Sequence, residues 1–227
     1  LGRWLGDGWI RVGDKRKKGL RICCAKHETA ELSRRLAATG MRWKLEEERE
    51  SVDVFEVYDA GLVKWIIANF REKAHFKTLP AWIFTAPEDY RRAIVQGWAD
   101  ADAHDRPCGK CIGVSVSKCL AVGMKLLLQS VGISASVGLS SEPREAVIEG
   151  QLCWCTQSYY VSWHWNGQWQ KGWKTKRHVW NRVRTVSEPS LTEETVYDIT
   201  VDEDHSFIAD GMVVHNCSWG PLVPTLY

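Results

Sequence analysis

Two stretches of the chain share one order of small, apolar and polar positions. Leu1–Gly8 (LGRWLGDG) and Gln96–Ala103 (QGWADADA) are short, apolar and rich in small residues, and each closes on an aspartate followed by a small residue. Superposing the two stretches places Asp7 on Asp102, at an offset of 95 residues. The pattern predicts the same short helix twice, with an acidic residue at its end.

A second match follows each short helix. Leu20–Met41 parallels Ile112–Ile133 at an offset of 92, with strand-like residues followed by an amphipathic helix that ends at Gly40 or Gly132. Glycine is the residue that most readily ends a helix. The two matches keep their order and nearly keep their spacing, so we predict one structural unit used twice. Chance similarity between two αβ segments is the alternative.

Small residues on the two predicted helices would let their backbones approach closely. Packed side by side, the helices would bring their acidic C-terminal ends together. Two adjacent carboxylates are costly unless a cation lies between them, and hard divalent ions such as Mg²⁺ take carboxylate oxygens. A metal site in a duplicated protein suits phosphodiester hydrolysis on both strands of a duplex. The small residues concerned are Gly2, Gly6, Gly97, Ala99 and Ala101.

The chain has 13 tryptophans, several of them between Trp154 and Trp180. Ser162–Trp165 alternates aromatic and polar residues, which predicts a strand. These tryptophans would form either part of the core or a platform that meets DNA, and we favour the core.

The C-terminal part carries a separate pattern. Val196–Val201 alternates as a strand does, and Phe207–Val214 predicts a hairpin with its turn at residues 210–211, Asp-Gly. His215, Asn216 and Cys217 follow. The Asn216 amide nitrogen can attack its own carbonyl carbon, forming a succinimide and cutting the chain. A neighbouring imidazole can assist, and a thiol can accept the acyl group.

Length and charge narrow the function classes only slightly. With 227 residues the chain can hold one large or two small domains, and its net charge of +2 gives no bulk argument for nucleic acid. Basic residues cluster in Arg11–Arg21 and Lys171–Arg184, which suits a phosphate-facing surface or, equally, a solvated charged face. No stretch has the features of a signal peptide or the roughly 20 apolar residues of a membrane span.

Eight cysteines are present. Cys108 and Cys111 could join Cys153 and Cys155 in a four-thiolate zinc site, but the second pair is too tightly spaced for the usual zinc knuckle. We favour reduced, partly buried thiols in a cytoplasmic, intracellular and reducing location.

The duplicated aspartate pattern resembles the LAGLIDADG motif of homing endonucleases, in the form common in inteins. The stretch His75–Trp82 (HFKTLPAW) resembles the segment before the second motif copy in these enzymes. The resemblance implies an α+β fold with two αββαββα-like halves related by a pseudo-two-fold axis, whose antiparallel sheets lie over DNA. It implies that Asp7 and Asp102 bind Mg²⁺ or Mn²⁺ and that Lys77 lies near the scissile phosphate. Ala103 departs from the usual closing glycine. The candidates for the second active-site base are Lys171, Lys174, Lys176 and Arg177.

The segment Val196–Cys217 resembles the last two splicing blocks of an intein. In the roles that this implies, Asn216 cyclises with the help of His215, and Cys217 begins the downstream host protein. His205 and Asp198 match the upstream helpers, a histidine that acts as acid or base and an aspartate that controls transfer to the cysteine. Splicing needs no cofactor.

The resemblance also implies a division of the chain. Residues 1–175 would be the endonuclease, residues 176–216 an all-β segment of the splicing (Hint) domain, and residues 217–227 the start of the C-extein. The expected partners are double-stranded DNA with a long asymmetric site, a missing N-terminal intein half and the host exteins, with no membrane.

Three other functions are possible for the whole chain. A DNA-binding regulator on the same scaffold would tend to lose the motif aspartates, which are present here. A plain αβ domain explains neither the duplicated aspartate nor the C-terminal segment. A hedgehog-like autoprocessing module has no use for Asn216. An intein fragment, a mobile genetic element with nuclease and splicing parts, is the interpretation that accounts for all of these features.

Overall fold

The computed structural model describes residues 1–11, 19–47, 50–148 and 150–166, and the short segments 172–174, 179–181, 185–186, 199, 201, 206–209 and 212–215. The chain divides into two compact units, Leu1–Gln170 and Lys171–Tyr227. The described part of the first unit is a mixed α+β structure with antiparallel sheets, which confirms the predicted fold class at that level.

The first half of this unit contains three helices and four strands. Its sheet has the order β1-β2-β4-β3, with all neighbours antiparallel. The elements are α1 (Gly2–Asp7), β1 (Gly8–Arg11), β2 (Gly19–Ala25), α2 (Thr29–Ala38), β3 (Trp43–Glu47), β4 (Val52–Val57) and α3 (Ala60–Phe70).

Within the described residues, the second half repeats this order as far as its last strand, with one insertion. Its sheet runs β5-β6-β10-β7, so β10 takes the place that β4 has in the first sheet. The elements are α4 (Glu88–Asp102), β5 (Ala103–Asp105), β6 (Cys111–Ser115), α5 (Lys118–Ser130), β7 (Ala135–Ser141), β8 (Arg144–Ile148), β9 (Gln151–Cys155) and β10 (Ser158–Trp163).

The implied αββαββα order therefore holds in the first half and is modified in the second. There β8 and β9 form a separate hairpin between the last two strands of the sheet. No closing helix follows β10 within the described residues 164–166. The two halves are joined by one-turn 3₁₀ segments, Ala74–Phe76 and Ala81–Thr85.

The predicted helix ends are where the glycines placed them. Gly40 follows α2 with φ +69° and Gly132 follows α5 with φ +79°, in the left-handed region that glycine adopts without steric cost. Two helices have capped N-termini: Asp59 caps α3 and Ser117 caps α5. Each side chain accepts a hydrogen bond from a backbone N–H of the first turn.

Each sheet turns one face to a shared core. In β2, Leu20, Ile22 and Cys24 are buried while Arg21 and Cys23 alternate with them. α5 buries a continuous stripe at helical spacing, which is the amphipathic face predicted from the sequence. That stripe consists of Leu120, Ala121, Met124, Leu127 and Leu128.

The tryptophan-rich tract divides between core and surface. Trp163 is 1% exposed and lies 6.0 Å from the Trp98 ring, which confirms the core interpretation for this residue. For Trp154 that interpretation is wrong, because it lies on the β8–β9 hairpin and is 67% exposed. The hairpin lies between β7 and β10 in the chain but outside their sheet, and its apolar side chains Val147, Leu152 and Trp154 are exposed in the described structure.

The contact between α1 and α4 is unusually close. A Cβ atom placed on Gly2 would lie 2.2 Å from the Ile94 carbonyl oxygen and 2.9 Å from the Gly97 Cα. One turn later, a Cβ on Gly6 would lie 2.5 Å from the Ala101 Cβ. Any side chain at Gly2 or Gly6 would force the two backbones apart, as the sequence pattern predicted.

The departure from the family pattern at Ala103 has a local explanation. At the matching position of the first half, a Cβ on Gly8 would lie 2.1 Å from the Trp4 ring, so only glycine fits there. In the second half Ala99 stands where the first half has Trp4. With no large ring beneath it, position 103 accepts a methyl group.

The described parts of the second unit are two strand pairs. β11 (Gly172–Lys174) pairs with β12 (Val179–Asn181), and β13 (Ser206–Ala209) pairs with β14 (Met212–His215). Ala209 opposes Met212, which confirms the predicted hairpin and leaves a two-residue connection at 210–211. The predicted strand Val196–Val201 lies almost wholly outside the described residues, so the implied all-β segment stays a prediction.

None of the helices in the described part of the chain has the length and apolar character needed to span a lipid bilayer.

Gly2→Ala tests the close packing of α1 and α4. We expect the variant to lose about 3 kcal/mol in the free energy of unfolding, because the added methyl group meets backbone atoms that cannot move independently. Urea unfolding followed by tryptophan fluorescence measures this loss. Gly61→Ala, in an exposed turn of α3, is the control and should stay within about 1 kcal/mol of the parent protein. Equal losses in both variants would contradict the packing account.

Candidate functional site

Asp7 and Asp102 are the last residues of α1 and α4. The absence of a side chain at Gly6 makes room for the Asp102 carboxylate, since a Cβ there would lie 2.9 Å from Asp102 Oδ2. The Asp102 carboxylate therefore lies against the last turn of α1, one residue before Asp7. The structure brings the two motif aspartates into one site, at the negative ends of two helices.

Both aspartates hold their protons more tightly than an exposed carboxyl does. Burial, followed by the nearby charge of Asp7, raises the pKa of Asp102 to about 7, against an opposing effect of Lys77. Burial likewise raises the pKa of Asp7, while Arg3 opposes the rise. Two carboxylates that repel each other in a partly dehydrated site favour a proton or a cation between them.

Lys77 is the third predicted site residue, and it is 3% exposed. Its Nζ donates hydrogen bonds to the carbonyl oxygens of Trp4 (3.0 Å), Leu5 (2.9 Å), Gly6 (3.2 Å) and Gly8 (2.8 Å). Nζ also lies 4.7 Å from the centre of the Trp4 ring. Burial lowers the pKa of Lys77 to about 8, although the charges of Asp102 and Asp7 act against this.

Arg3 is a site residue that the sequence analysis missed. Its guanidinium donates to both Glu28 carboxylate oxygens, at 2.7 and 2.6 Å, and to the Asp100 carbonyl oxygen at 2.6 Å. Its Nη2 lies 3.8 Å from Asp7 Oδ2. The bidentate pair with Arg3 lowers the pKa of Glu28. The signal in the sequence was a charged residue inside an apolar motif, at the position where the second copy has Trp98.

The donor set at the two helix ends fits a hard divalent cation. Two carboxylates are present, and no group of three or more His, Cys, Asp or Glu side chains that could hold a metal occurs among the described residues. Mg²⁺ is commonly held by one or two carboxylates, with waters and substrate phosphates completing its shell. The Asp102 carboxylate takes the space beside Gly6 that a Cβ would fill, one residue before Asp7.

The face of the first sheet opposite the core carries a network of charges. Arg21 Nη2 lies 2.7 Å from Glu46 Oε2 and 3.3 Å from Glu56 Oε2. Arg11 Nε lies 2.9 Å from Glu56 Oε1, and Lys44 Nζ lies 2.9 Å from Glu46 Oε1. Three cations share two carboxylates, so the face keeps a net positive charge with its basic groups held in place.

The matching face of the second sheet is nearly neutral. Within its described strands, the residues that alternate with the core positions include no lysine or arginine. Tyr160 lies across Gly138 on this face, since a Cβ on Gly138 would meet its ring at 2.7 Å. The two sheets thus offer unlike surfaces. The residues on the second face are His104, Ile112, Val114, Ser136, Gly138, Ser158, Tyr160 and Ser162.

The predicted splicing residues lie at or beyond the edge of the described chain. His215 is the last residue of β14, but its side chain is outside the described part. Asp198, His205, Asn216 and Cys217 lie outside the described residues altogether.

Of the candidates for a second active-site base, the structure describes only one, and that one only in part. Lys174 ends β11, with its backbone alone described. Lys171, Lys176 and Arg177 lie outside the described residues.

The cysteines considered for a zinc site are free thiols in the described structure. Cys108 is exposed, while Cys111 is buried. Burial, followed by the neighbouring Asp105, raises the pKa of Cys111 to about 12.

Comparison with known proteins gives distant similarities. No family model matches the chain. A DNA polymerase of Thermococcus hydrothermalis is 23% identical over 246 residues, covering 95% of this chain, which spans 14% of the length of that polymerase. Mesophilic variants of the homing endonuclease I-DmoI have 13% identity and a TM-score of 0.47, covering 73% of this chain and 86% of that one. I-DmoI in complex with DNA and Mn has 11% identity and a TM-score of 0.48, with the same coverages.

Asp102→Asn tests the electrostatic strain at the helix ends. A carboxyl whose pKa is higher in the folded protein than in the unfolded chain lowers the free energy of unfolding when it ionises. For Asp102 this loss is absent below about pH 4 and complete above about pH 7. We expect the variant to exceed the parent in unfolding free energy by roughly 2–4 kcal/mol at pH 8 and to match it at pH 4.

Urea unfolding at both pH values, in the presence of EDTA, measures the difference. Glu145→Gln, on the exposed β8–β9 hairpin, is the matched control and should change neither value. If Asp102→Asn raises the unfolding free energy as much at pH 4 as at pH 8, the ionised Asp102 carboxylate does not destabilise the fold.

Proposed function

We propose that the first unit is a divalent-metal-dependent endonuclease that cuts double-stranded DNA. The observation that carries the proposal is the pair of aspartates at the ends of two packed helices. Their carboxylates repel each other and are partly dehydrated, so a cation between them would stabilise both. A structural ion pair would neutralise one carboxylate with one cation. Here the Lys77 ammonium binds carbonyl oxygens, and the Arg3 guanidinium binds Glu28 at 2.6 and 2.7 Å and approaches Asp7 only to 3.8 Å.

The substrate class follows from the duplication and from the charged sheet face. A unit used twice presents two sheets and two aspartates, which suits two antiparallel strands of a duplex. The net positive face of the first sheet suits phosphate oxygens, and oriented guanidinium groups suit guanine edges in the major groove. Because the second sheet face is nearly neutral, the two halves would read DNA differently. The proposed target is therefore a long and asymmetric site.

In the proposed reaction, Mg²⁺ or Mn²⁺ supplies Lewis-acid stabilisation of the charge that develops on the scissile phosphate. The residues of the chain hold and orient its donors. Asp7 and Asp102 present oxygens from the two helices, and Arg3 and Lys77 compensate the negative helix ends. Since the pKa of Asp102 is raised to about 7, a cation competes there with a proton, and cleavage should increase as the pH rises through 7.

For the second unit we propose the C-terminal part of an intein splicing domain, beginning near residue 176. The β13–β14 hairpin supports this, because it delivers the chain to His215 and then directly to Asn216 and Cys217. Asn216 would cyclise with help from His215, while His205 and Asp198 act upstream and Cys217 accepts the acyl group. An N-terminal splicing half and the host exteins are the proposed partners, in a reducing intracellular location that keeps the thiol available.

The nuclease proposal predicts cleavage that depends on Mg²⁺ and on both aspartates. We expect double-strand cuts in a library of candidate host-gene sites, detected by sequencing of the new ends. Asp7→Asn and Asp102→Asn should each reduce the cleavage rate by about a thousandfold, because each removes an oxygen donor worth several kcal/mol. Asp105→Asn, which changes an exposed acid three residues beyond Asp102, should cleave as the parent does.

A library that is bound but left uncut in both Mg²⁺ and Mn²⁺ would contradict the nuclease and favour a DNA-binding regulator. Cleavage that survives in Asp7→Asn and Asp102→Asn would place the active site elsewhere.

The splicing proposal predicts slow loss of the C-terminal peptide. The intact mass of the purified chain, followed over hours at neutral pH, should show release of Cys217–Tyr227, and Asn216→Ala should abolish it. If the chain stays whole, adding an N-terminal intein half should restore cleavage. A chain that stays whole with that half present would contradict the proposal.

A further inference from the structure

Lys77 lies on the segment that joins the two halves, and the second half fixes its backbone. The Ser117 hydroxyl donates a 2.7 Å hydrogen bond to the Lys77 carbonyl oxygen. Ser117 is 1% exposed and also caps α5, accepting from the Leu120 N–H at 3.2 Å. The position of Lys77 is therefore set by the start of α5.

The side chain of Lys77 then crosses to the first half. Its ammonium meets four carbonyl oxygens at the end of α1, where a helix leaves acceptors without intrahelical donors. Three N–H bonds are shared among these four acceptors. Every donor is thus in use, and a phosphate oxygen would have to displace a carbonyl to reach the ammonium.

We propose that Lys77 is a positioning residue, which ties the last turn of α1 to the second half and thereby sets Asp7 beside Asp102. The link runs from Ser117 through the Lys77 backbone and side chain to the carbonyls of α1. This inference rests on the proposed metal site at the two aspartates. It differs from the phosphate-contacting role that the family resemblance implied for Lys77.

The two roles make opposite predictions for Lys77→Arg. Arginine keeps the charge and binds phosphate well, so a phosphate contact would survive the change. A planar guanidinium cannot direct its donors at four converging carbonyls in a pocket that is 3% exposed. At pH 7, below the pKa of about 8 that Lys77 has, both side chains are charged, so a change in metal affinity reports the position of the carboxylates and not the local charge.

The first measurement is Mn²⁺ affinity without DNA, by electron paramagnetic resonance of the free ion. The whole chain carrying Lys77→Arg should bind Mn²⁺ roughly 10- to 100-fold more weakly than the parent, as expected when a group that orients a metal ligand is lost. Asp7→Asn identifies the part of the binding that belongs to the site. Affinity equal to that of the parent would overturn the inference.

The second measurement is amide hydrogen exchange in the peptide that contains α1, and it does not depend on metal. Ser117→Ala keeps Lys77 and its charge but removes its backbone anchor, and should speed exchange in α1 roughly tenfold. Asp59→Ala is the matched control, because it removes a helix cap that has no recorded bond to Lys77. If both variants change α1 exchange equally, the link through Lys77 is overturned.

The two measurements separate the possible failures. If the parent binds no Mn²⁺ at Asp7, the proposed metal site fails, and the exchange data still decide whether Lys77 positions α1. If the parent binds Mn²⁺ at Asp7 but Lys77→Arg binds it equally well, and Ser117→Ala leaves α1 exchange at the rate seen in Asp59→Ala, the metal site stands and the positioning role fails.

Discussion

Gly2 and Gly97 face each other where α1 crosses α4, and no side chain separates the two backbones. The rest of the first unit depends on this contact. It joins the two halves, buries Trp4 and Trp98, and brings two helix C-termini side by side. A methyl group at Gly6 would displace Ala101 or the Asp102 carboxylate, so the same contact that stabilises the core also determines the geometry of the site.

This arrangement concentrates negative charge. Two carboxylates and two helix ends lie together in a partly dehydrated place, which is unfavourable unless cations compensate. The chain supplies two of them, and each binds backbone oxygens: Lys77 the end of α1, and Arg3 the Asp100 carbonyl of α4. The raised pKa of Asp102 indicates that this compensation is incomplete. A divalent cation would complete it, and that links the stability of the fold to the proposed chemistry.

The sequence predicted those features that depend on local pattern and on repetition. The duplicated aspartate, the small residues of α1 and α4 and the glycines that end α2 and α5 were all identified from spacing alone. The structure confirms them because a close helix crossing always requires small residues, and a left-handed turn after a helix favours glycine. Only the structure explains why alanine fits at position 103. It fits because position 99 is alanine, whereas the first half has the Trp4 ring at the matching position.

Features that depend on contacts distant in sequence were not predictable. The carbonyls that bind Lys77 lie about 70 residues away along the chain. The Arg3–Glu28 pair joins residues 25 apart, and Glu28 ends a 3₁₀ turn, Lys26–Glu28, that precedes α2. The β8–β9 hairpin has no counterpart in the first half, so the repeat carried no information about it. Trp154 was assigned to the core together with the rest of its tryptophan-rich tract, and a high content of aromatic residues does not tell a strand of the sheet from a projecting hairpin.

The central claim is that the α1–α4 contact makes one divalent-metal site from Asp7 and Asp102. Anomalous diffraction at the manganese edge, from crystals of the whole chain grown with Mn²⁺, tests it most directly. The account predicts manganese within about 2–2.5 Å of carboxylate oxygens from both aspartates, at the ends of the two helices. Manganese that binds elsewhere, or that contacts only one of the two aspartates, would contradict it.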